Sequence, residues 1–184
     1  MGLTAAWHSK TGGAGSIGTA ITTAVFGGSS DSGTAIGDPI TQGADSISRY
    51  FVIRFTADGT GSNTASNILI KRSDSTGSAA NIDGQGTVIH ADAGVSYAQD
   101  STTALTGGTD LQASGANSEA LTAPAAITNT NTGDSQDFAV QVQTSATAVA
   151  GQSFTLQCTF DVTAPQCSSG GGSQLLTTLL SLRV

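Results

Sequence analysis

The sequence predicts an all-β fold, an antiparallel β-sandwich of Ig-like or jelly-roll-like type. Three observations carry that expectation. Ser153–Val162 places Phe154, Leu156, Cys158, Phe160 and Val162 on alternate residues, with Thr155, Gln157, Thr159 and Asp161 between them. Successive side chains of a strand point to opposite faces, so this segment has one dry face and one wet face. Ser48–Thr56 repeats the pattern, setting Phe51, Ile53 and Phe55 against Tyr50, Val52, Arg54 and Thr56. Both lie in a turn-rich background of Gly, Ser, Thr and Ala, with 24 glycines in 184 residues.

Residues 1–47 read as an N-terminal arm with edge strands. Leu3–His8 is a short edge strand, 11–18 a flexible small-residue stretch, and 17–26 a strand or extended arm. Residues 27–37 are turn-rich. The sandwich core spans 48–167. Ser48–Thr56 is followed by eight polar residues, Asp58–Ala65, and by the returning strand Asn67–Arg72, which together predict a long-tipped hairpin. Thr87–His90 is a short strand and Ser101–Ser118 a loop. Pro124 cannot donate to a ladder, so Ala120–Ile127 is an edge or irregular segment. Phe138, Val140 and Val142 alternate with polar or small residues. An eight-residue tip, Ser145–Gln152, then leads into Ser153–Val162 as a second hairpin.

Residues 168–184 form a separate unit. Ser168–Ser173 is a Gly-rich linker. In Gln174–Val184, Leu176, Leu180, Leu182 and Val184 fit one strand face, whereas Leu175, Leu176, Leu179 and Leu180 fit one helix face. Thr content and the β context favour a strand. An apolar strand on a flexible tether either completes its own sandwich or is donated to a neighbour's sheet edge. Trp7 is either a core plug or an anchor on a neighbouring subunit. The candidate subunit contacts are therefore Trp7, Leu175, Leu176, Leu179, Leu180, Leu182 and Val184.

Composition narrows the function. Charged residues make up 10% of the chain, against roughly 25% in ordinary soluble domains. The apolar share is 38%, much of it Ala, so large core formers must cluster in the few patterned strands. The stretches between them bury too little to fold alone; they are loops or segments ordered by a neighbour. The net charge is −7, and of the six basic residues only Lys71 and Arg72 are adjacent. Phosphate neutralisation needs clustered cations, so nucleic acid is not an expected partner. No apolar run approaches the ~20 residues of a membrane-spanning helix, and no membrane partner is expected. The first ten residues lack a basic n-region and an apolar h-region, which predicts synthesis in the cytoplasm without a secretory leader.

Candidate chemistry is sparse. Gly13–Gly18 fits G-x-G-x-x-G, but that motif needs a helix after it, and Thr19–Thr23 are poor helix formers. His8 and His90 lie far apart in sequence, and with Cys158 and Cys167 they offer no close-spaced ligand pair. Two reduced thiols are expected, although a reversal at Pro165 would allow a bridge. Neither histidine lies in a nucleophile elbow. Asp58–Asn63 and Asp134–Asp137 are oxygen-rich, but Asx and Ser/Thr turns account for both without a cation. Glu119 is the single glutamate, and the aspartates read as turn residues rather than a facing carboxylate pair. Phe51, Phe55, Phe138, Phe154 and Phe160 are assigned to the core. No catalytic residue, cofactor or metal is expected.

Trp7-His8-Ser9-Lys10-Thr11-Gly12-Gly13 followed by Ile17-Gly18-Thr19-Ala20-Ile21 resembles the start of small virion proteins of tailed bacteriophages. Ser48–Arg54 and Asn63–Ile70 are similar to their first strand and its returning partner, and Asp137–Val162 to a later sandwich hairpin. Phe55-Thr56 departs from the family pattern, which has an Asn-containing turn there. The resemblance covers about half the chain. It implies a non-enzymatic, multi-copy virion structural protein, foremost a capsid decoration or cement protein and otherwise a neck or tail component. Its partners would be other copies of itself and the major capsid protein or other virion proteins, on a virion assembled in the host cytoplasm. Two other classes share the composition. One is an extracellular adhesin or filament subunit. The other is a carbohydrate-binding β-sandwich module, which would need exposed aromatic residues.

Overall fold

Alternating apolar residues become two facing sheets in the computed structural model, which describes residues 2–11, 14–28, 39–59, 61–73, 86–99, 101–112, 117–148, 153–163 and the backbone of 174–183. The strands are β1 (Leu3–Thr11), β2 (Ser16–Ile21), β3 (Thr23–Val25), β4 (Arg49–Ala57), β5 (Ser62–Arg72), β6 (Thr87–Ala93), β7 (Thr109–Leu111), β8 (Glu119–Leu121), β9 (Ile127–Thr128), β10 (Thr132–Asp134), β11 (Phe138–Thr144), β12 (Ser153–Thr163) and β13 (Gln174–Arg183). One sheet has seven strands in the order β2-β1-β4-β11-β6-β7, with β10 also on β4. The other has the order β3-β13-β12-β5-β8, with β9 also on β5. Pairing is antiparallel except where β13 runs parallel to β3. The protein is all-β, as its alternation predicts.

The dry faces meet between the sheets. Phe51, Ile53 and Phe55 of β4 and Phe154, Leu156, Cys158, Phe160 and Val162 of β12 are all buried in one core. The Phe55 and Phe160 rings bridge the two sheets edge to face, with centroids 4.9 Å apart. Trp7 of β1 lies in the same core, 1% exposed, with its ring 6.2 Å from Phe51 and 5.8 Å from Phe138. All five phenylalanines assigned to the core are there.

Three expectations change. The segment expected as a short edge strand is nine residues long and interior, since β1 pairs with β2 on one side and β4 on the other. The two expected hairpins are not hairpins. β4 and β5 are consecutive but belong to different sheets, and so are β11 and β12. Each pair is a corner at which the chain crosses from one sheet to the other. Alternation fixes which face of a strand is buried, but a hairpin and a corner bury the same faces. The first tip is also shorter than expected: β4 runs to Ala57 and β5 begins at Ser62. Finally, the segment expected to be a loop from Ser101 to Ser118 contains β7.

A small staple fastens the first corner. β9 pairs with β5, placing Ser62 opposite Thr128 and Asn63 opposite Ile127. β10, four residues further on, pairs with β4, placing Thr132 opposite Thr56 and Asp134 opposite Arg54. The backbone N–H of Asn129 donates to Gly61 O (3.1 Å) and that of Ala57 to Asn131 O (3.2 Å). Asn129 has φ +57°, a left-handed conformation that Asn tolerates better than most residues. Ala120–Ile127, expected as an edge or irregular segment, starts within edge strand β8, is irregular over 122–126 and leads into this staple at Ile127.

Replacing Trp7 with Ala removes the largest buried side chain where three core rings meet. It is expected to cost about 3–5 kcal/mol in urea unfolding, with Trp7→Phe costing clearly less. Equal losses for the two variants would refute the packing role.

Candidate functional site

Among the described residues, three groupings of polar side chains bear on function, and two of them are used to hold strands together. On the outer face of the seven-stranded sheet, Arg54 grips Asp134 with two hydrogen bonds, Nε to Oδ1 at 2.7 Å and Nη2 to Oδ2 at 2.8 Å. Lys10 pairs with Asp137. His8, between them on β1, has Nδ1 2.8 Å from Gly18 O. The Arg54 hydrogen bonds hold the Asp134 carboxyl below its ordinary range. Partial burial opposes this shift, and the charges of Arg54, His8 and Lys10 reinforce it.

The whole oxygen-rich turn Asp134–Asp137 is engaged in the same way. Ser135 Oγ accepts from Ile53 N–H at 3.0 Å. Gln136 joins the two sheets: its N–H donates to Thr122 O (2.9 Å), and its Oε1 accepts from Thr122 N–H (3.1 Å). In the other oxygen-rich segment, Asp58 accepts from Gly2 N–H, while Asn63 points into the sandwich and is fully buried.

The second polar place lies beneath the 101–107 loop, which covers the other half of that sheet. Gln141 is fully buried. Its Nε2 donates to Ser46 O (2.9 Å) and Thr103 O (3.1 Å), and its Oε1 accepts from Leu105 N–H (2.9 Å) and Gln143 Nε2 (3.1 Å). His90, opposite Gln141 in the ladder, contacts Asp110 Oδ1 through Nδ1 at 2.6 Å and Gly107 O through Nε2. Tyr97 packs edge to face on Tyr50, with centroids 5.0 Å apart. Tyr50 is therefore buried although it points away from the core, and Val52 on the same face is buried as well. No local signal in the sequence marks these clusters, because their members come from strands far apart in the chain.

The third place is the outer face of the six-stranded sheet. The outward positions of β12 are Thr155, Gln157, Thr159 and Asp161, of which Thr159 is buried, and β5 presents Ser62, Thr64, Ser66, Asn67, Leu69 and Lys71. On these two strands, Lys71 and Asp161 are the charges of this face; Arg72 is buried. Asn67 has φ +50°, where β5 bulges, and its Nδ2 donates to Asp161 Oδ2 at 2.6 Å.

The sequence candidates distribute as follows. Trp7 is inside this chain's own core and has no surface to offer a neighbour. The C-terminal segment is a strand and pairs with β12 and β3 of its own sheet. Its register sets Leu176, Leu180 and Leu182 opposite the inward residues Phe160, Leu156 and Phe154. Leu175 and Leu179 stand opposite Asp161 and Gln157 of the outer face. Val184, Gly13, Thr60 and Cys167 lie outside the described residues. Ser16–Gly18 of the glycine motif belong to strand β2, not to a helix. Burial pushes the Cys158 thiol up to about 12, which keeps it protonated and unreactive. A recess of about 360 Å³ beside the staple is lined by Pro124, Ala126, Thr128, Asn131 and Asp134 among others. Its one carboxylate is the one already held by Arg54.

Neither a family model nor a curated protein matches the chain. Among solved structures it is similar to a family 123 glycoside hydrolase from Clostridium perfringens, at 9% identity and a TM-score of 0.29. The match covers 99% of this chain and 27% of that one, so the chain spans about a quarter of the length of the protein it matches. A likeness that slight says nothing about this chain's fold or activity.

Asp134→Asn is expected to lower stability by up to ~1 kcal/mol near neutral pH, the scale of a half-exposed ion pair. Asp134 is more acidic in the folded chain than in the unfolded one, so its contribution is present above the ordinary carboxylate range and is lost as pH falls through its folded value. Thermal melts should therefore show a shallower acid limb in the variant. An acid limb parallel to that of the parent would refute the role.

Proposed function

We propose that this chain is a non-enzymatic virion structural protein, a multi-copy decoration or cement protein on the capsid of a tailed phage. The observation that carries the reading is the outer face of the six-stranded sheet. Its short hydroxyl and amide side chains cost little to desolvate, so a neighbour that covers it has only Lys71 and Asp161 to pair on β5 and β12. The ion pairs and buried amides described above lie between strands, where they stabilise the fold rather than converge on a substrate. That use of the titratable residues supports a role in shape and contact. The resemblance of Trp7–Ile21 and Ser48–Ile70 to small phage virion proteins points the same way. Multivalency across a shell offsets the weakness of any one such contact.

Undecorated shells assembled from the major capsid protein of the same genome provide the test. The purified chain is expected to co-sediment with them and to saturate at a stoichiometry set by shell symmetry. A protein that stays in the supernatant at every ratio would overturn the reading.

A further inference from the structure

The two charges on the outer face of β5 and β12 have a geometric relation that suits self-pairing. Gln157 stands opposite Lys71, Thr159 opposite Leu69, and Asp161 opposite Ser66. The Thr159–Leu69 row therefore lies midway between the row holding Lys71 and the row holding Asp161. Each charge is two residues from that row, about 7 Å along its strand, and the two are on neighbouring strands about 4.8 Å apart.

Consider a second copy rotated by 180° about an axis lying along the Thr159–Leu69 row, face to face with the first. The rotation reverses strand direction and leaves strand position unchanged. Lys71 of one copy then lies over Ser66 of the other, one strand spacing from Asp161. Asp161 of the first copy stands in the same relation to the second copy's Lys71. Leu69 meets its own counterpart on the axis, beside Thr159, which is already buried within its own chain. A two-fold contact of this kind must be self-complementary, and this arrangement of Leu69 at the centre flanked by one cation and one anion satisfies that condition. A face bearing two like charges would not. Asn67 adds to the fit, since its hydrogen bond to Asp161 Oδ2 fixes the carboxylate on this face.

We propose that the outer face of the six-stranded sheet is a homodimer interface. A two-fold axis runs along the Thr159–Leu69 row, and Lys71 of each copy pairs with Asp161 of the other. The inference rests on the reading of this face as a contact surface, but not on the virion assignment.

The test is a charge-swap cycle on the purified full chain without shells, read by sedimentation equilibrium up to ~1 mM protein. The parent is expected to be a monomer–dimer system. Lys71→Asp and Asp161→Lys each place like charges across both symmetric contacts and should weaken dimerisation about tenfold or more. The double variant exchanges the signs and should return to within about threefold of the parent. Leu69→Arg, which sets two cations against each other on the axis, should leave a monomer. Circular dichroism on each variant confirms that it is folded. A strictly monomeric parent, or singles and double that dimerise alike, overturns the proposal. A dimer with the expected cycle in a protein that ignores shells upholds it while removing the virion reading.

Discussion

The aromatic seam between the sheets is the constraint on which the rest of the structure depends. Trp7, Phe51 and Phe138 pack against one another on the inner face of one sheet, and Phe55 reaches across to Phe160 of the other. With charged residues at 10% and aromatics at 5% of the chain, little else can hold the two layers together. Each fully buried large apolar side chain contributes on the order of 1.5–3 kcal/mol, and these are concentrated on β4, β5 and β12, with Trp7 on β1 and Phe138 on β11. Phe26 and Ile47 add buried apolar side chains from outside the strands. Other described connections are held by hydrogen bonds to a frame that already exists, as Gln141 holds the 101–107 loop and the 127–134 segment holds the first corner.

That division of labour explains what could be read from the residues alone. Inward and outward positions of β4, β11 and β12 were legible because a period of two is a local property. The core phenylalanines followed directly. Partner choice was not legible. Phe51–Phe55 and Ile68–Ile70 look like the arms of a hairpin, yet they belong to opposite sheets, and only the packed tertiary structure distinguishes the two outcomes. The interior position of β1 was hidden for the same reason: Leu3–Thr11 contains Ala5, Ala6, His8 and Lys10, a weak pattern whose place depends on Trp7 fitting between Phe51 and Phe138. The ion pairs Arg54–Asp134 and Lys10–Asp137 join strands distant in sequence, and an Asp in a turn-like string gives no sign that it has a guanidinium to meet. For the proposed contact surface, the neutral wet face of β12 was plain from Thr155, Gln157 and Thr159. The matching positions of Lys71 and Asp161 needed the register.

The two outer faces of the sandwich are treated differently by the chain itself. On the seven-stranded sheet, Tyr97 packs on Tyr50, the 101–107 loop lies over Gln141, and ion pairs cross the β1–β4 side, while Val88 of β6 is exposed. Most of this face is finished within one molecule. On the six-stranded sheet, β5 and β12 show short neutral side chains and one charge of each sign.

The parallel pairing of β13 with β3 ties residues 23–25 to residues 181–183. Among the described strands, β3 has no other partner in its sheet. During synthesis that edge stays open until residues beyond 180 have left the ribosome, although β3 itself emerged some 150 residues earlier. Long-range closures of this kind are slow and expose unfinished sheet edges meanwhile. The low charge that suits the finished surface gives those edges little electrostatic protection. The interval before β13 docks is therefore when the nascent chain is most exposed to wrong pairing, and the rate of that final closure governs how much of it reaches the native state.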